Sequence, residues 1–210
     1  MGKISQGVLG GFSGKVGNII GGSWKGIDYM RVKASSVKDA NTIKQQNQRA
    51  KFKACVSLAK SVMTTIVRPI WNRKAIKMTG FNLFVKTNLP VFDNSGAISD
   101  YPNLKFSIGQ LPLPTDLVII NNGAGGGALR ATWVDNSGIG FALPTDKIRI
   151  IAMCDGELVE LQGLSFSRQT EWANFNVPFG TGSIVHVYAY FQNDESSLYS
   201  TSAHTLLTIT

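Results

Sequence analysis

Residues 148–161 read I-R-I-I-A-M-C-D-G-E-L-V-E-L, two apolar runs meeting at Asp155-Gly156. Asp-Gly between apolar runs is the chemistry of a two-residue hairpin. Both central residues must reach positive φ, and the right-handed twist of the flanking strands selects that turn. Working outward from it, strands are predicted at Leu117–Asn121, Ala128–Val134, Ile148–Cys154, Leu158–Leu161, Glu171–Val177, Ile184–Gln192 and Thr205–Ile209. Asn122-Gly123, Asn136-Ser137-Gly138 and Gly180-Thr181-Gly182 supply further turn chemistry between them. In the run 184–191 one face reads Ile184, His186, Tyr188, Tyr190, and the other Val185, Val187, Ala189, Phe191. Short strands at this spacing predict an antiparallel Ig- or fibronectin-like β-sandwich over residues 115–210.

Upstream the pattern changes. Four prolines, at 90, 102, 112 and 114, together with Asn94-Ser95-Gly96, punctuate the stretch before the strands, and residues 91–114 are expected to be a Pro-rich linker. Before that, residues 42–70 carry the clearest helical pattern. Thr42 and Gln45 have capping-box spacing, and Phe52, Cys55, Ala59, Val62, Ile66 and Ile70 follow at intervals of three and four. Pro69 is expected to end this helix near Val67 or Arg68. A shorter helix is predicted over 80–87, where Phe81, Phe84 and Val85 share a face. Residues 1–34 are dense in glycine and predict a β-hairpin with its reversal at Gly21-Gly22, between the extended runs 18–20 and 24–32. A lone hairpin is marginal in water, so this one needs a further pairing partner. The fold class is therefore α+β: a basic Gly-rich hairpin and helical region (1–90), a linker (91–114) and the sandwich (115–210).

Charge divides the chain more sharply than composition does. Residues 1–90 hold 16 Lys and Arg against the two acids Asp28 and Asp39, whereas residues 91–210 hold 5 against 11. Such asymmetry points to a polyanion partner for the first half, or to attraction between opposite halves of neighbouring copies. The apolar fraction of 43% with 16% charged residues is that of a globular chain. Residues 1–12 contain one lysine and no apolar core of a secretory signal, and no run approaches the roughly 18 apolar residues of a membrane span. Synthesis in the cytoplasm, with no membrane span, is the expectation.

Two glycine-rich stretches resemble nucleotide-binding loops and fail on geometry. Gly10-Gly11-Phe12-Ser13-Gly14-Lys15 lacks the glycine five residues before Gly14, where Leu9 stands, and Val16 occupies the metal-holding Ser/Thr position. Gly123-Ala124-Gly125-Gly126-Gly127-Ala128 is followed by an alternating strand pattern rather than by the helix a pyrophosphate requires. His186 and His204 have no acid–nucleophile pair nearby in sequence, and with Cys55 and Cys154 they give no zinc spacing. Both cysteines read as free, buried thiols, and Asp155, Glu157 and Glu160 as a solvated edge. No catalytic, cofactor or metal residue is expected, so the reading is of a non-enzymatic protein.

Three N-terminal segments form a recognisable set: G-V-L-G-G-F-S-G-K-V-G-N-I-I-G-G-S-W-K-G-I-D-Y-M-R (7–31), T-x-x-Q-x-x-Q-R-x-x-F (42–52) and T-G-F-N-L-F-V-K-T-N (79–88). T-W-V-D-N-S-G (132–138) ahead of D-K-I-R-I-I adds a C-terminal element. In this order the chain resembles an uncharacterised family common in Bacteroidetes genomes and among phage and prophage proteins. The resemblance brings no activity and no functional residue with it, but implies a virion or assembly role. Two roles stay open. In the first, the chain self-associates as a homo-oligomer or with other structural proteins through Val16, Ile19, Ile20, Trp24, Ile27 and Tyr29. In the second it binds DNA or RNA through Lys38, Lys44, Arg49, Lys51, Lys53, Arg73 and Lys74, with Trp24, Tyr29, Phe52, Trp71, Phe81 and Phe84 interleaved among the basic residues.

Overall fold

The computed structural model describes residues 3–4, 11–24, 26–36, 39–123, 125–161 and 163–210. The chain is mixed α and β, with antiparallel sheets, and divides into two compact units, Met1–Thr42 and Ile43–Thr210. The first unit is a four-stranded sheet in chain order: β1 (Lys3–Ile4), β2 (Phe12–Val16), β3 (Ile19–Trp24) and β4 (Ile27–Val32). Gly21-Gly22 is not the reversal. Val16 pairs with Ile19 across Gly17-Asn18, and Trp24 pairs with Ile27, so the chain turns at both ends of β3. Gly21 lies mid-strand because the Phe12 ring lies over it: a Cβ there would stand 2.6 Å from the ring and 2.3 Å from the Phe12 carbonyl oxygen. The glycines in this motif serve close strand approach as well as turning.

In the second unit, α1 (Ile43–Ser61) begins where a Thr42 cap places it and buries Cys55 and Ala59. Phe52, predicted on the same stripe, is 52% exposed instead. Pro69 does not end the helical path. From Met63 to Trp71 the backbone widens into a π-helix, with the Val67 N–H donating to the Val62 carbonyl at 3.0 Å. An α-helical Pro69 would have its ring against the carbonyl four residues back, and the wider turn relieves that contact. The path continues through α2 (Asn72–Lys74), and α3 (Gly80–Asn88) follows. Thr79 caps α3 by accepting from the Asn82 N–H at 3.2 Å. Asn72 Oδ1 accepts from the Gly80 N–H at 2.9 Å, and a Cβ on residue 80 would stand only 2.4 Å from that oxygen.

Residues 91–114 are not a spacer. Val91, Phe92, Leu104, Phe106 and Leu111 are buried there. Phe106 accepts from Trp71 Nε1 at 2.8 Å through its carbonyl, and its N–H donates to Ser202 Oγ at 3.2 Å. The fully buried Asn88 side chain donates to the Lys105 carbonyl at 2.9 Å and accepts from the Lys105 N–H at 2.8 Å, standing in for a strand partner. Pro90 and Pro102 open short 3-10 turns, and the chain stays in the core.

The C-terminal strands follow the predicted pattern closely: β5 (Thr115–Asn121), β6 (Ala128–Val134), β7 (Lys147–Cys154), β8 (Glu157–Leu161), β9 (Trp172–Asn176), β10 (Ile184–Gln192) and β11 (Ala203–Thr208). They form two antiparallel sheets, ordered β5-β6-β9 and β11-β10-β7-β8. Leu129, Ala131, Ala173 and Phe175 from the smaller sheet share one core with Ile148, Ile150, Val185, Val187 and Phe191 from the larger. The opposite face of the larger sheet, with Ile151, Met153, Tyr188 and Tyr190, joins the core that the helices build around Trp71 and Phe84. Both alternating faces of β10 are thus apolar because both are covered.

A buried ion pair ties the loops at one end of these sheets. Arg168, on a 3-10 turn before β9, meets Asp146 Oδ2 at 3.1 Å, both side chains fully buried. The guanidinium also donates to Asn136 Oδ1 and the Pro112 carbonyl, and lies 3.8 Å over the Phe191 ring. Trp133 Nε1 donates to the Arg168 carbonyl at 2.8 Å. Removing one partner of such a pair strands a buried charge, at about 3–5 kcal/mol. Arg168→Met is therefore expected to lower unfolding stability by about that amount, read as a lower urea midpoint at unchanged slope; a loss under about 1 kcal/mol would show that the pair is not holding the loops.

Candidate functional site

The surface that the two sequence-derived sets of candidates mark is split between the two units. In Met1–Thr42, cross-strand pairing places Lys15, Ile20 and Arg31 in one row, Gly22 and Tyr29 in the next, and Trp24 and Ile27 in the last, all on one face. Val16, Ile19, Met30 and Val32 lie on the other. All six residues of β4 are exposed, including Ile27 (67%), Met30 (69%) and Val32 (76%). Of the residues proposed for self-association, Val16, Ile19, Trp24, Ile27 and Tyr29 are exposed and Ile20 is half-buried. The apolar alternation that normally marks a core here marks a surface. Among the described residues, β4 is an edge strand, paired on the β3 side.

The basic candidates belong mostly to Ile43–Thr210. Lys38 lies outside the described residues. Arg49 and Lys53 are one turn apart on α1, with Lys60 two turns further on. Helical spacing puts these three together about a third of a turn round from the buried Cys55 and Ala59, and all three are exposed. Lys44 and Lys51 fall on a different side, bordering the buried stripe, and Lys51 is half-buried. Arg73 and Lys74 sit on α2, beyond the π-helix, where Arg73 donates to the Ser197 carbonyl at 3.3 Å. Trp71 and Phe84 are fully buried, their rings edge-to-face at 5.0 Å, so neither is available to stack on a base. Tyr29, Phe52 and Trp24 are the exposed aromatics of that set.

Two further features were not legible as sites in the sequence. A cavity of about 520 Å³ opens between α1, residues 92–101 and the Asp155-Gly156 turn. Its walls are apolar through Leu58, Phe92, Ile98 and Leu158, with Ser57, Ser61, Tyr101 and Asp155 as polar groups. The second feature is a histidine pair on the helix-facing side of the larger sheet. His186 Nδ1 and His204 Nε2 are 3.0 Å apart, one donating and one accepting, an arrangement that requires the accepting ring to be neutral. Tyr101 stacks on His186 at 3.7 Å and 4°, and Tyr188 donates to the Tyr101 carbonyl at 2.9 Å. The two histidines are diagonal neighbours on β10 and β11, a relation invisible without the strand register. Cys55 and Cys154 are free and buried, and burial pushes the Cys55 thiol up to about 11. Among the described residues, no three His, Cys, Asp or Glu side chains gather as a metal ligand set, and no helix is long and apolar enough to cross a membrane.

Burial, then His186 and Lys105, bring the His204 imidazole down to about 4, and burial lowers His186 too. The unfolded chain then binds protons that the folded one refuses. The contribution to stability is complete above the ordinary value of 6.5 and is lost as pH falls toward 4. His204→Gln is expected to flatten this part of the pH dependence in urea titrations. A variant whose stability falls as steeply as the parent's over that window would place the dependence elsewhere.

The profile of a family of unknown function, DUF6266, matches residues 11–204. No curated protein matches the chain.

Proposed function

The chain belongs to the family of unknown function DUF6266, and we propose that it is a non-enzymatic structural protein that associates with copies of itself. The observation that carries this reading is the exposed apolar sheet of Met1–Thr42. A small sheet with exposed Ile27, Tyr29, Met30 and Val32 buries too little to be a resting surface in water. Its edge strand β4 offers backbone groups of the kind that another sheet can extend. The two C-terminal sheets are read as a fibronectin-like sandwich, supported by their strand orders and shared core. Joined with the resemblance to phage and prophage proteins, this reading extends to a virion or assembly component.

Sedimentation of the full chain over a wide concentration range tests it. Mass is expected to rise with concentration, and Ile27→Ser with Tyr29→Ser to weaken association at least tenfold, the equivalent of about 1.4 kcal/mol. A parent protein that remains monomeric at the highest soluble concentration would end the proposal.

A second reading, nucleic-acid binding, is favoured by Arg49, Lys53 and Lys60 along one exposed face of α1. DNA affinity should then fall with salt, and neutralising these three residues to Gln should reduce the log–log slope by about 2–3. No binding at low salt, or an unchanged slope, would remove it.

A further inference from the structure

The connection from β6 to β7 carries a compact loop, 136–143, whose tip is apolar and whose base is fastened to the core. Ile139, Phe141 and Leu143 are 60%, 63% and 55% exposed. The Gly138 N–H donates to the Ala142 carbonyl at 2.9 Å, and the Ala142 N–H to the Ile139 carbonyl at 3.0 Å, closing the tip. At one end Asn136 Oδ1 takes a hydrogen bond from Arg168, while its Nδ2 donates to the Leu113 carbonyl and Thr115 Oγ1. At the other end the Leu143 N–H donates to Asp146 Oδ2 at 2.9 Å. Three large apolar side chains are thus presented on a backbone whose ends are both held by the buried ion pair. Little conformational freedom remains to be lost on docking.

The surroundings of this loop are acidic. Asp135 and Glu171 meet at its base, where the Asp135 N–H donates to Glu171 Oε1 at 3.1 Å, and Asp116 is exposed next to Thr115. Among the nearby cations, Arg168 is buried against Asp146, and Lys147 is half-buried. Residues 115–210 hold four Lys and Arg against nine acids.

We propose that this loop docks on the β2–β4 face that carries Lys15, Tyr29, Ile27 and Arg31 in a second copy of the chain. The proposal rests on the self-association reading and names what covers its sheet. The match is in both chemistry and sign. On the sheet face the rows that carry Tyr29 and Ile27 run on from a row that carries both Lys15 and Arg31, in a unit with six Lys and Arg against two acids. Two such faces meeting each other would oppose like charges, which disfavours a two-fold contact between identical sheets. Loop on sheet pairs an apolar tip with acids at its base and an apolar floor with basic residues along one end. The contact is heterologous: each copy has one of each surface, so assembly proceeds head to tail into rings or open filaments.

The experiment uses three full-length proteins in sedimentation: the parent, Ile139→Ser/Phe141→Ser in the loop, and Ile27→Ser/Tyr29→Ser in the sheet. Each double variant alone should associate at least tenfold more weakly than the parent. An equimolar mixture should form a one-to-one heterodimer that goes no further, because one intact loop and one intact sheet remain. Raising salt from about 0.05 to 0.5 M should weaken parent association several-fold. The loop side chains are largely exposed, so thermal melting of the loop variant should match the parent's and exclude misfolding as the cause. A loop variant that associates like the parent, beside a sheet variant that does not, would overturn this inference and leave self-association standing. Two monomeric variants that fail to pair when mixed would overturn it as well. A parent that never associates would remove both.

Discussion

Arg168 and Asp146 form a buried pair on which several separate stretches of chain converge. The segment before β5 reaches it through the Pro112 carbonyl, the β6–β7 loop through Asn136 and Leu143, and β10 through the Phe191 ring. A buried ion pair is a poor source of net stability, because desolvation cancels much of the attraction. Its contribution here is geometric. A planar guanidinium can donate in several directions at once, and here its donors reach Asp146 and Asn136 on the β6–β7 connection and the Pro112 carbonyl before β5. Most apolar side chains could fill that space. None could set the relative position of three loop segments with hydrogen-bond directionality. Trp133, Asn136 and Asp146 all lie in the T-W-V-D-N-S-G and D-K-I-R stretch, so that motif describes this junction.

The same holds for the motif over 79–88. Thr79 caps α3, residue 80 must lack a Cβ to pass Asn72, Phe84 packs edge-on to Trp71, and Asn88 substitutes for a strand along Lys105. The first three fix the helical layer internally, and the Asn88 pair, with Trp71 Nε1 on the Phe106 carbonyl, fastens it to the segment 104–107, which is itself hydrogen-bonded to residues 200–202. The recognisable residues over 79–88 and around the Arg168–Asp146 junction are thus explained by packing. The exposed sheet of Met1–Thr42 and the tip of the β6–β7 loop, by contrast, present apolar side chains to solvent.

Much of this was legible from residue order. The strands of 115–210 were found within a few residues because side-chain alternation and turn chemistry are local properties. The helices were found for the same reason, down to the start of α1 after Thr42. Misreadings arose wherever a local rule met a non-local contact. Pro69 ends an α-helix, but a π-helix carried the path past it. Gly21-Gly22 has turn composition, but Gly21 lacks a side chain because the Phe12 ring occupies that space, and Gly22 lies against the Tyr29 ring. The prolines of 91–114 suggested a linker, yet the intervening Phe92, Leu104 and Phe106 had a core to enter.

Residue order alone established the alternation of each strand, the stripe of the helix, the separation of charge and the failure of both glycine-rich lures. Packing in three dimensions decided which apolar residues are covered. Ile27, Tyr29 and Val32 have the alternation of a buried strand and are exposed, while Arg168 has the chemistry of a surface residue and is buried. The reason is physical. Periodicity depends on neighbours along the chain, whereas burial depends on what arrives from elsewhere, and no local pattern records the arrival. The His186–His204 pair makes the same point, since eighteen residues of sequence separate two rings that strand register brings to hydrogen-bonding distance.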